Sequence, residues 1–161
     1  MNAIKMLKQQ HREVEKLFKQ FEAASSAKPQ REIFNEIADA LAIHATIEER
    51  HFYPSVKRQQ TEDILLESVE EHLEVKRAIA DLLELEVEDD AFEAKVKVLQ
   101  EDVEHHVEEE ETELFPKVEK LFDEDELEAI GDAMEETQEA LKREGHPRDA
   151  MPGETDAAAP V

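Results

Sequence analysis

The chain has 161 residues, contains no cysteine and carries a formal net charge of −24 at pH 7. Without cysteine there can be no disulfide, thiolate zinc site, iron–sulfur cluster or cysteine nucleophile. The acidic charge argues against a nucleic acid or an anionic membrane surface as a partner, because both require a basic surface on the protein.

Four amphipathic segments follow one another along the chain. In each of them apolar residues recur at steps of three and four, which is typical of a helix that buries one face. The interruptions between the segments are short, and short connections favour antiparallel packing of neighbouring helices. The segments span residues 4–21, 34–52, 65–82 and 92–114, and the interruptions span residues 25–29, 57–61 and 86–90.

The part of the chain beyond the fourth segment differs in character. A fifth amphipathic stretch covers residues 123–144, whereas residues 145–161 hold three prolines and few apolar residues. We therefore predict an all-α fold: an antiparallel up-down-up-down four-helix bundle over residues 1–122 with an additional C-terminal helix over 123–144. Residues 145–161 are predicted to form a disordered, acidic tail.

Membrane and export signals are not evident in the sequence. No stretch approaches the roughly 20 apolar residues of a membrane span, and no apolar run follows a basic start as in a secretory signal. We expect a soluble, cytoplasmic protein that is a monomer or a weak homo-oligomer, because a large net charge makes copies repel one another.

Each of the four predicted helices carries one histidine on its apolar stripe. His11, His44, His72 and His106 occupy positions that would otherwise hold leucine or isoleucine. The midpoints between successive histidines fall at residues 27 to 28, 58 and 89, inside the three interruptions. Antiparallel packing would therefore bring all four imidazoles to one level of the bundle.

Two of these histidines belong to a repeated motif in which a glutamate follows one helical turn later. The pairs are His44 with Glu48 and His106 with Glu110, and residues at this spacing lie about 5–6 Å apart on a helix. The two pairs belong to a repeat, since residues 44–54 match residues 106–116. Four imidazoles and two carboxylates that can bridge suit a pair of iron ions, with manganese or zinc as lesser candidates.

The same pattern resembles a known family. H…H-x-x-x-E…H…H-x-x-x-E, with a second glutamate and an aromatic–proline step after each pair, is similar to hemerythrin-like (HHE cation-binding) domains over roughly residues 1–122. The resemblance implies a bundle around a non-haem pair of iron ions bridged by an oxo or hydroxo group. It also implies the metal ligands His11, His44, Glu48, His72, His106 and Glu110, with Glu48 and Glu110 bridging the two ions.

The resemblance leaves several functions open. Family members bind dioxygen, sense oxygen or iron, or react with nitric oxide and peroxide. Oxygen carriers have a further histidine at the position of Lys76, so this chain is expected to lack one ligand, which favours redox or peroxide chemistry over oxygen storage. A sensor or iron-binding module without turnover is the alternative, as is a metal-free interaction bundle. Whether the C-terminal helix or the tail binds a protein partner is left open.

The sequence gives weaker evidence for the roles of further residues near the motif. His51 is a candidate for a seventh ligand or a gate, although a boundary position near the helix end explains it better. Tyr53 lies nine residues after His44, roughly on the opposite face of an α-helix, and is expected to pack rather than to bind metal. Pro54 and Pro116 are expected to bend or end their helices. A ferritin-like Glu-x-x-His site is disfavoured because Val103 stands where its second glutamate would be.

Overall fold

The computed structural model describes all residues 1–161 and is built from helices alone. Two of its long helices contain one π-helical turn each, which we call the first and second π segments. None of the helices combines the length and the apolar content that a membrane span requires. In chain order the elements are α1 (Ala3–Ala23), α2 (Ala27–Ile47), the first π segment (Glu48–Phe52), α3 (Tyr53–Val56), α4 (Glu62–Glu84), α5 (Asp90–Glu109), the second π segment (Glu110–Leu114), α6 (Phe115–Leu121), α7 (Glu124–Arg143) and a C-terminal 3₁₀ helix (Pro147–Glu154).

These elements form a four-helix bundle with an additional helix. α2 continues through the first π segment into α3, and α5 continues through the second π segment into α6, so each set acts as one long helix. Helices adjacent in sequence pack together, α1 on α2 and α4 on α5, and α7 packs on α1. The predicted all-α bundle with an additional C-terminal helix is confirmed.

Several helices begin at residues that can cap them. The Asn2 side chain accepts a hydrogen bond from the backbone N–H of Ile4 at 2.8 Å. Asp123 and Glu126 form a reciprocal capping box at the start of α7. Such caps satisfy backbone N–H groups that have no partner in the first turn, and each contributes roughly 0.5–2 kcal/mol.

The core consists of two apolar clusters with a polar layer between them. Along α1, for example, Leu7 belongs to one cluster and Val14 to the other, and His11 lies between them. The same alternation recurs on α2, where Leu41 and Ile47 flank His44. Burying each large apolar side chain contributes about 1.5–3 kcal/mol, so the clusters hold the helices in register around the polar layer.

The prediction of a disordered tail is wrong for residues 147–154, which form the 3₁₀ helix. Met151 in this helix is only 1% exposed and joins the apolar cluster that contains Val14. Arg148 pairs with Asp39 of α2, with Nη1 2.8 Å from Oδ2. Low average apolar content suggested disorder, but one well-placed apolar side chain and a few ion pairs are enough to anchor a segment this short.

Pro54 and Pro116 are predicted to bend or end their helices, and the structure contradicts the second alternative, because the helix continues past each proline. Each stands at the second residue of a short α-helix that directly follows a π segment. The N–H of Tyr53 bonds to the carbonyl of Glu48, five residues back, and the N–H of Phe115 bonds to that of Glu110. The wider turn lets the chain continue past a residue that lacks an N–H and would otherwise clash with the preceding turn.

Candidate metal centre

The six residues predicted as metal ligands meet in one buried layer. Each of the helices α1, α2, α4 and α5 contributes a histidine, and each π segment contributes a glutamate at its first position. Both glutamates are 0% exposed and all four histidines are buried. Their ligand atoms fall into two groups, each within 4.8 Å: His11, His44 and Glu110 in the first group, and Glu48, His72 and His106 in the second.

The two carboxylates cross between these groups. Glu48 Oε1 lies 3.0 Å from His44 Nε2 and 3.1 Å from His72 Nε2. Glu110 Oε1 lies 3.2 Å from His11 Nε2 and 3.4 Å from His106 Nε2. Each glutamate therefore contacts a histidine of both groups, which is the position that a bridging carboxylate needs.

An outer ring of acceptors orients the four imidazoles. In every case Nδ1 has an acceptor on the outer side, so Nε2 is the nitrogen that faces the centre. The repeat is visible here too, because Glu49 and Glu111 correspond in sequence, as do Gln10 and Glu71. The Nδ1 partners are Glu111 for His11 at 2.7 Å, Gln10 for His44 at 2.7 Å, Glu49 for His72 at 2.6 Å and Glu71 for His106 at 2.8 Å.

Sequence reasoning did not assign this ring, although its signal was present. Gln10 and Glu71 directly precede the other two histidines, His11 and His72, at equivalent positions of the repeat. Glu49 and Glu111 are the second glutamates of the two repeated motifs. The residues of the outer ring share a pattern that sequence reasoning could have used: each is polar in both copies of the repeat and lies one residue off the apolar stripe.

Tyr53 lies at the centre, contrary to the face predicted for it. Its hydroxyl donates to Glu110 Oε2 at 2.9 Å and lies 3.2 Å from His72 Nε2. In a regular α-helix nine residues turn the chain to the face opposite His44, but the first π segment absorbs one residue and leaves a rotation of about 80° instead. Its repeat counterpart Phe115 has no hydroxyl and stacks on the His11 ring at 6.0 Å.

Lys76 is buried beside the outer ring. It is 4% exposed, and its ammonium lies 2.8 Å from Glu49 Oε1 and 3.1 Å from Glu154 Oε1. Burial alone would lower the pKa of Lys76, but the two carboxylates raise it above its ordinary value. The position that carries a further histidine in oxygen carriers thus holds a cation that supports Glu49.

The remaining histidines lie outside the layer. His51 Nε2 hydrogen-bonds to Thr137 Oγ1 of α7 at 2.6 Å, so its position supports neither a seventh ligand nor a gate. Burial, together with the charge of Arg50, lowers the pKa of His51. His105 has a 64% exposed side chain and contacts Glu71 and Glu109 at the surface.

Comparison with known proteins decides the family. Residues 2–118 match the model described as the hemerythrin HHE cation binding domain. The chain belongs to this family. The resemblance drawn from the histidine and glutamate pattern is thereby confirmed, and the domain is one that binds cations.

Two proteins illustrate the extent of the similarity. The crystal structure of a hemerythrin HHE cation binding domain-containing protein from Mycobacterium kansasii has a TM-score of 0.78 and 23% identity, and the match covers 94% of this chain and 97% of that one. At this identity the match shows a shared fold. A DNA nickase from Nostoc sp. is 28% identical over 118 residues, 73% of this chain and 34% of that protein. This HHE domain protein therefore spans about a third of that relative's length.

The buried layer of histidines and glutamates in this HHE domain fits a bound cation. Two of its buried side-chain atoms, His44 Nε2 and Glu48 Oε2, have no hydrogen-bond partner. The His44 atom is close to Glu48 Oε1, but the contact is not aligned as a hydrogen bond. Leaving a buried polar atom without a partner costs about 1–3 kcal/mol, and a metal ion would satisfy both atoms.

Charge in the layer supports the same conclusion. Burial alone would lower the pKa of His44, but Glu48 and Glu110 raise it to about 9. Burial and Glu110 would raise the pKa of Glu48, but His44 and His106 hold it down at about 2. Protons on the imidazoles thus balance the buried carboxylates, and a metal cation can take over that task.

A small chamber adjoins the histidines of the HHE domain. Its volume is about 30 Å³, which is enough for roughly one or two water-sized molecules. The four histidines line it on one side, and apolar side chains form most of the remaining wall: Val14, Leu41, Ala45, Val75, Val103, Val107 and Met151. The chamber can accept a small, uncharged molecule next to the histidine nitrogens.

Proposed function

We propose that this HHE domain holds two iron ions in the buried layer and binds or reacts with dioxygen, peroxide or nitric oxide there. The single observation that carries the proposal is the crossed arrangement of the carboxylates. Glu48 and Glu110 each contact a histidine of both groups, and mixed nitrogen and oxygen donors of this kind suit iron. In this proposal the two glutamates bridge the ions.

Bound iron would supply the redox chemistry, and the chain's own side chains would control access and protons. The apolar wall of the chamber excludes bulk water from the histidine nitrogens. Burial, Glu110 and Glu48 raise the pKa of Tyr53 well above its ordinary value, so its hydroxyl stays protonated. Tyr53 does not line the chamber, so its role in the proposal is to hold the Glu110 carboxylate in place through the hydrogen bond to Oε2.

The outer ring supports the proposed site in a second way. A histidine whose Nδ1–H donates to a carboxylate or amide is fixed in orientation and in tautomer, and loss of such a partner typically weakens metal binding 10–100-fold. All four histidines have such a partner. A cytoplasmic location belongs to the same proposal. So does action as a monomer or weak homo-oligomer, which the net charge of −24 supports because copies repel one another.

Metal analysis of matched variants tests the proposal. Purified wild-type protein should carry about two iron ions per chain, as expected for a di-iron bundle site. His106→Ala should lose most of the iron, whereas His105→Ala, which changes the adjacent exposed histidine, should retain it. Equal iron content in the two variants, or a wild-type protein without iron, would refute the proposed centre. Oxygen evolution from added peroxide would separate turnover from binding alone.

A sensor without turnover is a second candidate function, and one observation favours it. His44 Nδ1 donates to the Gln10 amide oxygen at 2.7 Å, and Gln10 Nε2 donates to Gln138 of α7 at 2.6 Å. This chain of hydrogen bonds connects a proposed ligand to the additional helix. If the domain is a sensor, protease cleavage within residues 124–154 should differ between the iron-loaded and iron-free protein, and identical cleavage would exclude this candidate.

A further inference from the structure

The C-terminal 3₁₀ helix lies over the chamber beside the four histidines. It packs on α2 and α4, and Met151 is the residue that it contributes to the chamber wall. Met151 is 1% exposed, so its side chain closes the chamber on that side. The family match ends at residue 118, which leaves this segment outside the part of the chain that the family describes.

Polar contacts hold the segment at both ends. Near its start, Arg148 donates to Asp39 twice, from its backbone N–H at 2.9 Å and from Nη1 at 2.8 Å. At its end, Glu154 lies 3.1 Å from the Lys76 ammonium. Just before the segment, Gly145 has a φ of 129°, a conformation that favours glycine and lets the chain turn back from α7.

This mode of attachment suits a segment that opens. Only Glu154 of the Lys76–Glu154 pair is markedly exposed, at 38%, and the Arg148 and Asp39 side chains are 18% and 26% exposed, so solvent can compete for the segment's half of each pair. Segments with few buried apolar contacts open locally far more often than the whole protein unfolds. Met151 is the one fully buried residue of the segment. The chain that follows is held separately by Arg77, which donates to the carbonyls of Thr155 and Asp156, so the opening is confined to the segment itself.

We propose that residues 147–154 form a lid and that Met151 determines the size of molecule that enters the chamber. The closed chamber of about 30 Å³ admits a diatomic or water-sized molecule and excludes larger ones. This inference rests on the proposed function for the identity of the ligand, namely a small molecule such as nitric oxide. The size limit itself depends only on the chamber walls.

The first experiment measures the size limit without iron. Methyl NMR spectra of the iron-free, full-length protein are recorded with and without benzene, a probe that fills enlarged apolar cavities. Benzene should shift the Val75, Val103 and Val107 methyl signals in Met151→Ala but not in the wild type or in Met151→Leu, which keeps most of the side-chain volume. Met134→Ala, at a buried methionine of the other apolar cluster, should leave these signals unchanged.

The second experiment measures the lid on the iron-loaded protein. Arg148→Ala removes the ion pair with Asp39, leaves the backbone hydrogen bond to it and does not alter the chamber. Arg143→Ala makes the same change at an exposed residue of α7. Stopped-flow absorbance should show nitric oxide associating roughly threefold faster with Arg148→Ala than with the wild type or Arg143→Ala, a change that corresponds to about 0.65 kcal/mol in the opening equilibrium.

The outcomes of the two experiments distinguish a failure of the lid proposal from a failure of the proposed metal centre. Benzene shifts that are equal in Met151→Ala and the wild type would overturn the role of Met151. Association rates that are equal in Arg148→Ala and Arg143→Ala would overturn the lid. A wild-type protein that carries no iron refutes the proposed function, but the benzene experiment still decides the size limit.

Discussion

Replacing Glu49 by glutamine should destabilise the protein more than any other change in the outer ring. Glu49 Oε2 accepts from His72 Nδ1 at 2.6 Å, and Glu49 Oε1 accepts from the Lys76 ammonium at 2.8 Å. The substitution keeps the shape but leaves the buried ammonium with Glu154 alone. Removing one member of a buried ion pair costs about 3–5 kcal/mol. Because Glu154 remains, we expect the lower end, about 3 kcal/mol.

Glu111 provides a matched control for this prediction. It occupies the equivalent position of the repeat and accepts from His11 Nδ1 at 2.7 Å, but its second partner, Arg12, has a 56% exposed side chain. An exposed pair contributes about 0–1 kcal/mol, and glutamine can still accept from the imidazole, as Gln10 does for His44. Glu111→Gln should therefore cost about 1 kcal/mol or less.

A double-mutant cycle isolates the buried pair. Lys76→Met removes the ammonium, so Glu49→Gln made in that background should cost roughly 2 kcal/mol less than in the wild type, within the range measured for contacting residues. The free energy of unfolding is measured by urea titration of the iron-free, full-length protein. A coupling energy below about 0.5 kcal/mol, or equal losses for Glu49→Gln and Glu111→Gln, would refute the reasoning.

Three further predictions concern the centre itself. Tyr53→Phe removes the donor to Glu110 and should lower the unfolding free energy of the iron-free protein by about 1–3 kcal/mol, measured in urea. The pKa of His44 is raised from 6.5 to about 9, so the stability that its proton provides is complete below pH 6.5 and is lost as the pH rises to about 9. Over the same range metal affinity should rise, because a metal ion must displace that proton. Loading with iron at 100 times its dissociation constant should add about 2.7 kcal/mol and raise the melting temperature by roughly 5–11 °C.

Each of these predictions has its own control. Phe52→Leu alters a buried aromatic residue beside Tyr53 but keeps the hydroxyl that donates to Glu110. A loss of unfolding free energy below about 0.5 kcal/mol for Tyr53→Phe would contradict the role of that hydroxyl. Calorimetric metal titrations in buffers of different ionisation enthalpy count the protons released at pH 7, and zero release would contradict the raised pKa of His44. For the melting temperature, a His44→Ala, His106→Ala variant should not respond to iron, and a wild-type protein that does not respond either would contradict the third prediction.

The local features of this protein follow from residue order. Helical periodicity depends on neighbours three and four positions apart, so the four stripes and their histidines are readable without any tertiary information. The single level of His11, His44, His72 and His106 follows from counting residues to short connections. The pairing of His44 with Glu48 and of His106 with Glu110, repeated in both halves of the chain, predicted the buried layer and the family.

Features that depend on contacts between distant segments required the tertiary structure. The rotation that brings Tyr53 to Glu110 depends on a π turn that an α-helical projection does not include. Gln10, Glu71 and Lys76 acquire their partners only because other helices place acceptors or donors beside them. The tail is ordered because its 3₁₀ helix packs on α2 and α4 and buries Met151. Periodicity reports which face of a helix is buried, but the partner of a side chain is determined by the packing of the whole bundle.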